Sequence, residues 1–204
     1  LEDEISSKVL TKLRHKLIKT DCACCSSKSE NKEVFNLYQE GVKLWEKRDE
    51  KSLNQAIEIF DEIIKIDSKF SSAYVMKADS LFVSIQHNSS LDFDNLRLEA
   101  AKILDKAEKL GDTSAEFYTT KATSLGYGPD ANYQEAVDCL KIAIEKNPNY
   151  AYAHYRLGSL YVQMEKYEKA KEEMSKAISL DPYSNPILYG SAGLSNILFD
   201  YNDS

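Results

Sequence analysis

Residues 151–182, AYAHYRLGSLYVQMEKYEKAKEEMSKAISLDP, constrain the fold more than any other stretch, because small, aromatic and proline positions occur there in an order that fixes a pair of packed helices. Leu157, Gly158 and Tyr161 lie on the first predicted helix, and Ala170, Met174 and Ala177 follow at i, i+4 and i+7 on the second, which Pro182 ends. Two antiparallel helices approach closely only where a side chain is missing, so Gly158 and Ala170 mark the crossing while Tyr161 and Met174 fill the space beside it. One such pair cannot bury its apolar face alone, so the pattern demands copies.

The copies are present. The second-helix pattern recurs as Ala56-Phe60-Ile63, Ala100-Leu104-Ala107, Ala136-Leu140-Ala143 and Ala170-Met174-Ala177. Each run ends in a polar or turn-forming stop: Ile66-Asp67-Ser68, Leu110-Gly111-Asp112, Lys146-Asn147-Pro148 and Leu180-Asp181-Pro182. The small residue of the first helix recurs as Gly41, Ala78, Ala122 and Gly158, and Ala192 falls where a fifth would stand, at intervals of 37, 44, 36 and 34. These residues resemble tetratricopeptide repeats, whose usual period is about 34. The resemblance implies an all-α, right-handed α-solenoid of about four helix pairs, with repeats near 34–68, 71–112, 115–148 and 151–182 and a closing helix over 186–200. The surplus residues are expected in loops between paired helices, at 46–52, 84–95 and 125–133, where polar residues and turn formers gather.

Ahead of the repeats, Ile5 to Lys19 contain neither Gly nor Pro, and Ile5, Val9, Leu10, Leu13 and Leu17 share one face of a predicted helix within 1–20. Its polar side is basic, through Lys8, Lys12, Arg14 and Lys19. Such a helix can cap the first repeat, join another chain or lie on an anionic membrane surface. Residues 21–33 have linker composition and hold Cys22, Cys24 and Cys25. A metal site there lacks a matched set of four ligands. Adjacent cysteines beside a basic amphipathic helix have the makeup of an acylation site, which makes a membrane-attached regulatory subunit one alternative role. The simplest reading is free thiols in a reducing compartment, the cytoplasm or nucleus. Cys139, within a repeat helix, reads as a small packing residue. The absence of an initial Met is what a segment of a longer protein would show, and no apolar run reaches the length of a membrane span.

The net charge of −7 is uneven: residues 1–33 carry +1 and the remainder −8. An acidic body without a Lys/Arg stripe excludes nucleic acid as the expected partner and suits a basic protein segment. His15, His87 and His154 stand on different units, no glycine-rich phosphate loop occurs, and the carboxylates are spaced as on solvated helix faces. Neither an enzyme nor a cofactor-binding protein is expected.

In the resembled family the first helix of each repeat lines a concave groove that holds an extended peptide or a helix of a partner. The resemblance therefore implies a protein-binding scaffold or adaptor. Offset from the small residues, that face comprises Tyr38, Val42 and Trp45; Val75, Asp79 and Phe82; Thr119 and Thr123; and Tyr152, Tyr155, Arg156 and Ser159. Rigid rings offer large contact area at low entropy cost, although Trp45 in particular can equally bridge adjacent repeats. A subset of the family grips the acidic tails of heat-shock chaperones with Lys, Asn and Arg. Here Tyr38, Val42, Val75 and Asp79 occupy those positions and only Arg156 fits, so such a tail is not the expected ligand. A second role is an assembly chaperone shielding a basic client through the acidic surface.

Overall fold

The computed structural model describes residues 31–87, 93–126, 128 and 130–184. The expected helix in 1–20, the cysteines at 22, 24 and 25, and the expected closing helix over 186–200 lie outside the described residues. Within the described residues eight helices follow one another: α1 (Lys32–Lys47), α2 (Glu50–Ile66), α3 (Ser71–His87), α4 (Phe93–Lys109), α5 (Ala115–Leu125), α6 (Tyr133–Lys146), α7 (Ala151–Gln163) and α8 (Tyr167–Leu180). All regular structure among these residues is helical.

Local chemistry sets the helix ends. Asn31, Asp49, Ser114 and Asn132 accept hydrogen bonds from the backbone N–H of Glu33, Ser52, Phe117 and Glu135, satisfying donors that the first turn of a helix leaves open. Between repeats the polar stops act as turns. The carboxyl of Asp67, the carboxyl of Asp112 and the amide oxygen of Asn147 accept from the N–H two residues on, at 3.0, 2.9 and 3.1 Å. These side chains turn the chain from the second helix of one pair into the first helix of the next.

Packing within each pair follows the small residues. A Cβ on Gly158 would stand 2.7 Å from Met174 Cγ and 3.1 Å from the Ala170 carbonyl oxygen, and one on Gly41 would stand 2.7 Å from Phe60. Both positions thus need glycine for close approach. All twelve residues of the second-helix pattern, from Ala56 to Ala177, are buried. α1 packs on α2, α3 on α4, α5 on α6 and α7 on α8, and the pairs stack through α2–α3, α4–α5 and α6–α7. The first helices also touch in succession, α1–α3, α3–α5 and α5–α7, whereas α2, α4, α6 and α8 do not touch one another. The first helices therefore form the inner face of a curved solenoid.

The surplus residues do not form loops at every expected place. In the first repeat α1 and α2 extend through most of 46–52, leaving only Arg48 and Asp49 between them. In the second, α3 and α4 absorb much of 84–95. Neither stretch holds Gly or Pro to stop a helix, and Asp49 supplies a cap only two residues past α1. Between the third pair of helices the expected separation is present, with α5 ending at Leu125 and α6 beginning at Tyr133.

The crossing at Ala170 yields a stability test. Ala170→Leu places extra methylenes at a fully buried contact and is expected to destabilise the array by about 1–3 kcal/mol. Thermal melting should register this as a fall of about 2–4 °C per kcal/mol. A midpoint unchanged within error would place the crossing elsewhere.

Candidate functional site

The inner face is built from rings and charges on α1, α3, α5 and α7. Trp45, near the end of α1, is buried and donates its indole N–H to Asp79 Oδ2 of α3 at 2.8 Å. Arg48 follows in the left-handed conformation at φ 61°, and its N–H donates to the Trp45 carbonyl at 3.3 Å, ending the helix. The guanidinium carbon lies 3.6 Å from the centre of the Trp45 ring and 5.0 Å from that of Tyr152 on α7. Both distances are within cation–π range.

Tyr152 in turn meets Trp45 edge to face, with ring centres 5.2 Å apart, and contacts Tyr155 and Tyr150 at 5.9 and 6.2 Å. The first and fourth repeats thus meet across the inner face. Their helices α1 and α7 bring no Cα atoms within 8 Å, so side chains alone span the gap. One turn beyond Tyr152, Arg156 Nη2 donates to Thr123 Oγ1 of α5 at 2.9 Å.

Asp79 is 2% exposed. α3 packs against α1, α2, α4 and α5, and from Ser71 to Val83 only Lys77 is not buried, which is why a polar residue there has no route to solvent. Burial pushes the Asp79 carboxyl up from its ordinary value of 3.8, against the opposing pull of Arg48, Arg156 and the Trp45 hydrogen bond. Burial likewise raises the Tyr152 phenol, again against Arg48. Asp79 Oδ1 and the Nε and Nη2 of Arg48 are buried with no hydrogen bond among the described residues.

The residues selected from the sequence fall into three environments. Tyr38, Val75, Phe82 and Thr119 are buried: Tyr38 packs on Phe60 and Phe70, Val75 and Phe82 belong to the core under α3 and α4, and Thr119 donates to the Ala115 carbonyl. Trp45, Asp79, Thr123 and Tyr152 are also buried, within the inner cluster. Val42, Tyr155, Arg156 and Ser159 are partly exposed at its edge. Arg48 and Tyr150 join the cluster although sequence reasoning passed them over. Arg48 stood in a stretch read as a loop, and Tyr150 stood at a repeat boundary.

His154 is held on both sides, Nδ1 at 2.6 Å from Glu173 Oε2 and Nε2 at 3.1 Å from the Pro148 carbonyl, an arrangement that ties α7 to α8. Cys139 is buried, and burial raises its thiol despite nearby Lys121. Among the described residues no group of three or more His, Cys, Asp and Glu is placed to hold a metal ion. No helix of the described residues is long and apolar enough to cross a membrane.

A family model for the tetratricopeptide repeat matches residues 151–184, and a second, for the TPR repeat, matches 132–165, half a repeat out of phase. The crystal structure of TTC0263, a thermophilic TPR protein of Thermus thermophilus, is 14% identical and superposes with TM-score 0.61, covering 94% of this chain and 96% of its own. Yeast Tom70 is 18% identical with TM-score 0.55, covering all of this chain and 44% of its own. A crystal structure of MamA is 27% identical with TM-score 0.45, covering 76% of this chain and 87% of its own. No curated protein matches the sequence.

A pH test follows from Asp79. Because its folded value lies above the ordinary one, the folded state holds this proton where the unfolded chain has released it. The resulting stability is fully present below about pH 4 and is lost as pH rises through the folded value. Asp79→Asn should remove that component, so the difference in stability between wild type and variant should vary with pH above about 4. Urea denaturation at a series of pH values measures it, and a difference that stays constant from acid to neutral pH would contradict the assignment.

Proposed function

We propose that this chain, which is a tetratricopeptide repeat protein, is a non-catalytic scaffold or adaptor that binds a peptide or a helix of a partner protein along its inner face. The observation that carries this reading is the continuity of that face. Four first helices stand side by side and present, within one connected cluster, an indole, tyrosines, two guanidiniums and a carboxylate. Rings of this kind supply contact area at low entropy cost, and Arg supplies directional donors, a combination enriched where few residues carry most of the binding energy.

Tyr155, Arg156, Ser159 and Val42 are the parts of the face open to solvent, and they are where a partner makes first contact. The buried members, Tyr38, Trp45, Val75, Asp79, Phe82, Thr119, Thr123 and Tyr152, shape the floor. The chain's imbalance of charge, −8 over residues 34–204, favours a partner segment that is basic. The same charge supports the second reading, an assembly chaperone for a basic client. Steep loss of binding in moderate salt would mark that role, because screening weakens long-range attraction and leaves ring burial intact.

The test is selection of peptides from a displayed library on the full chain, followed by affinity measurement against variants. Tyr155→Ala and Arg156→Glu are each expected to weaken selected peptides by about tenfold, equivalent to about 1.4 kcal/mol. Peptides that bind both variants as they bind wild type would place the interaction surface off the inner face.

A further inference from the structure

The face assigned to partner binding is covered from within. In a solenoid each repeat contacts only its neighbours, yet here Trp45 of the first repeat meets Tyr152 of the fourth, with Arg48 against both rings. We propose that this contact is an autoinhibitory latch: the stack of Trp45, Arg48 and Tyr152 holds the inner face shut, and a partner segment opens it by seating an aromatic side chain of its own against Trp45. This rests on the reading of the inner face as the binding surface.

Three observations support it. The contact is made by side chains alone, since the α1 and α7 main chains stay apart, so it can part without unfolding a helix. The closed cluster is also incompletely satisfied. Asp79 Oδ1 and Arg48 Nε and Nη2 are buried without hydrogen bonds among the described residues, and a buried orphan group costs free energy that a hydrogen-bonding partner recovers. Arg48, finally, holds a left-handed backbone conformation in a position where glycine would be at ease. An arginine there places a guanidinium over the Trp45 ring, which glycine could not do. The ligand class follows from what the latch covers. An extended peptide bearing one aromatic side chain would replace the Tyr152 ring, its main-chain N–H would donate to Asp79 Oδ1, and its carbonyl would accept from Arg48. Tyr152 is in this sense an internal stand-in for the partner.

Trp45 is the single Trp of the chain, so its fluorescence reports the latch directly. Acrylamide quenching and small-angle scattering would be measured on the full chain as wild type, Arg48→Gly and Tyr152→Ala. Arg48→Gly suits the left-handed backbone and removes the bridging guanidinium together with its pull on the Asp79 carboxyl. In each variant that keeps its helical circular dichroism and a cooperative melt, the quenching constant should at least double and the radius of gyration should increase. If Tyr152→Ala fails to fold, Arg48→Gly decides. Folded variants in which Trp45 is as shielded as in wild type would overturn the latch, whatever peptides the chain binds. Variants that open while neither they nor wild type select any peptide would instead refute the binding surface and leave the latch standing.

Discussion

Every level of this structure rests on helices that cross at a missing side chain. At Gly158 an added Cβ would meet a backbone carbonyl at 3.1 Å, and a backbone carbonyl cannot swing aside as the end of a side chain can. Ala170 and Gly158 thus fix not only that α7 and α8 pack but how closely. At Gly41 an added Cβ would meet instead the ring of Phe60 at 2.7 Å, a side chain that is itself fully buried, and the small residues Ala78, Ala100, Ala122 and Ala136 are all buried. Crossings set alike in four pairs give the pairs like shapes, and like shapes stack with a repeated rotation that brings the first helices together on one side.

That curvature explains the chemistry of the inner face. As first helices converge, a residue such as Asp79 loses its route to water, because α3 has neighbours on several sides. A carboxyl so placed must be paired or protonated. It takes one hydrogen bond from Trp45 and lies in the field of Arg48 and Arg156, yet burial still outweighs them and raises its affinity for a proton. Removing one partner of a buried charged cluster commonly costs about 3–5 kcal/mol, much of it the penalty of the charge left behind. The cluster is therefore held together as a unit and is sensitive at each of its members.

Much of the fold was legible because it is written in short-range spacing. The i, i+4, i+7 pattern from Ala56 onward needs only helical periodicity to be read, and Asp67, Asp112 and Asn147 advertise turns through their own side-chain bonds to nearby backbone. The helix extensions in the first two repeats were less visible. Polar composition suggested loops over 46–52 and 84–95, but polar residues without Gly or Pro are equally at home on a solvated helix face. Arg48 carries no sequence signal for a left-handed turn, a place usually held by Gly or Asn. Least legible was the meeting of Trp45 with Tyr152. The resemblance to the repeat family implied an inner-face position for both, but whether that face stays open depends on the rotation accumulated over four repeats, which no local pattern encodes.

The direct measure of that long-range meeting is a double-mutant cycle on Trp45 and Tyr152, with Trp45→Leu, Tyr152→Leu and the pair compared by urea denaturation. An edge-to-face aromatic contact is worth about 0.5–1.5 kcal/mol beyond its buried area. With the rings at 5.2 Å and Arg48 shared between them, a favourable coupling of about 1 kcal/mol or more is expected. Single-variant effects that simply add, to within about 0.3 kcal/mol, would mean that the first and fourth repeats do not meet in solution.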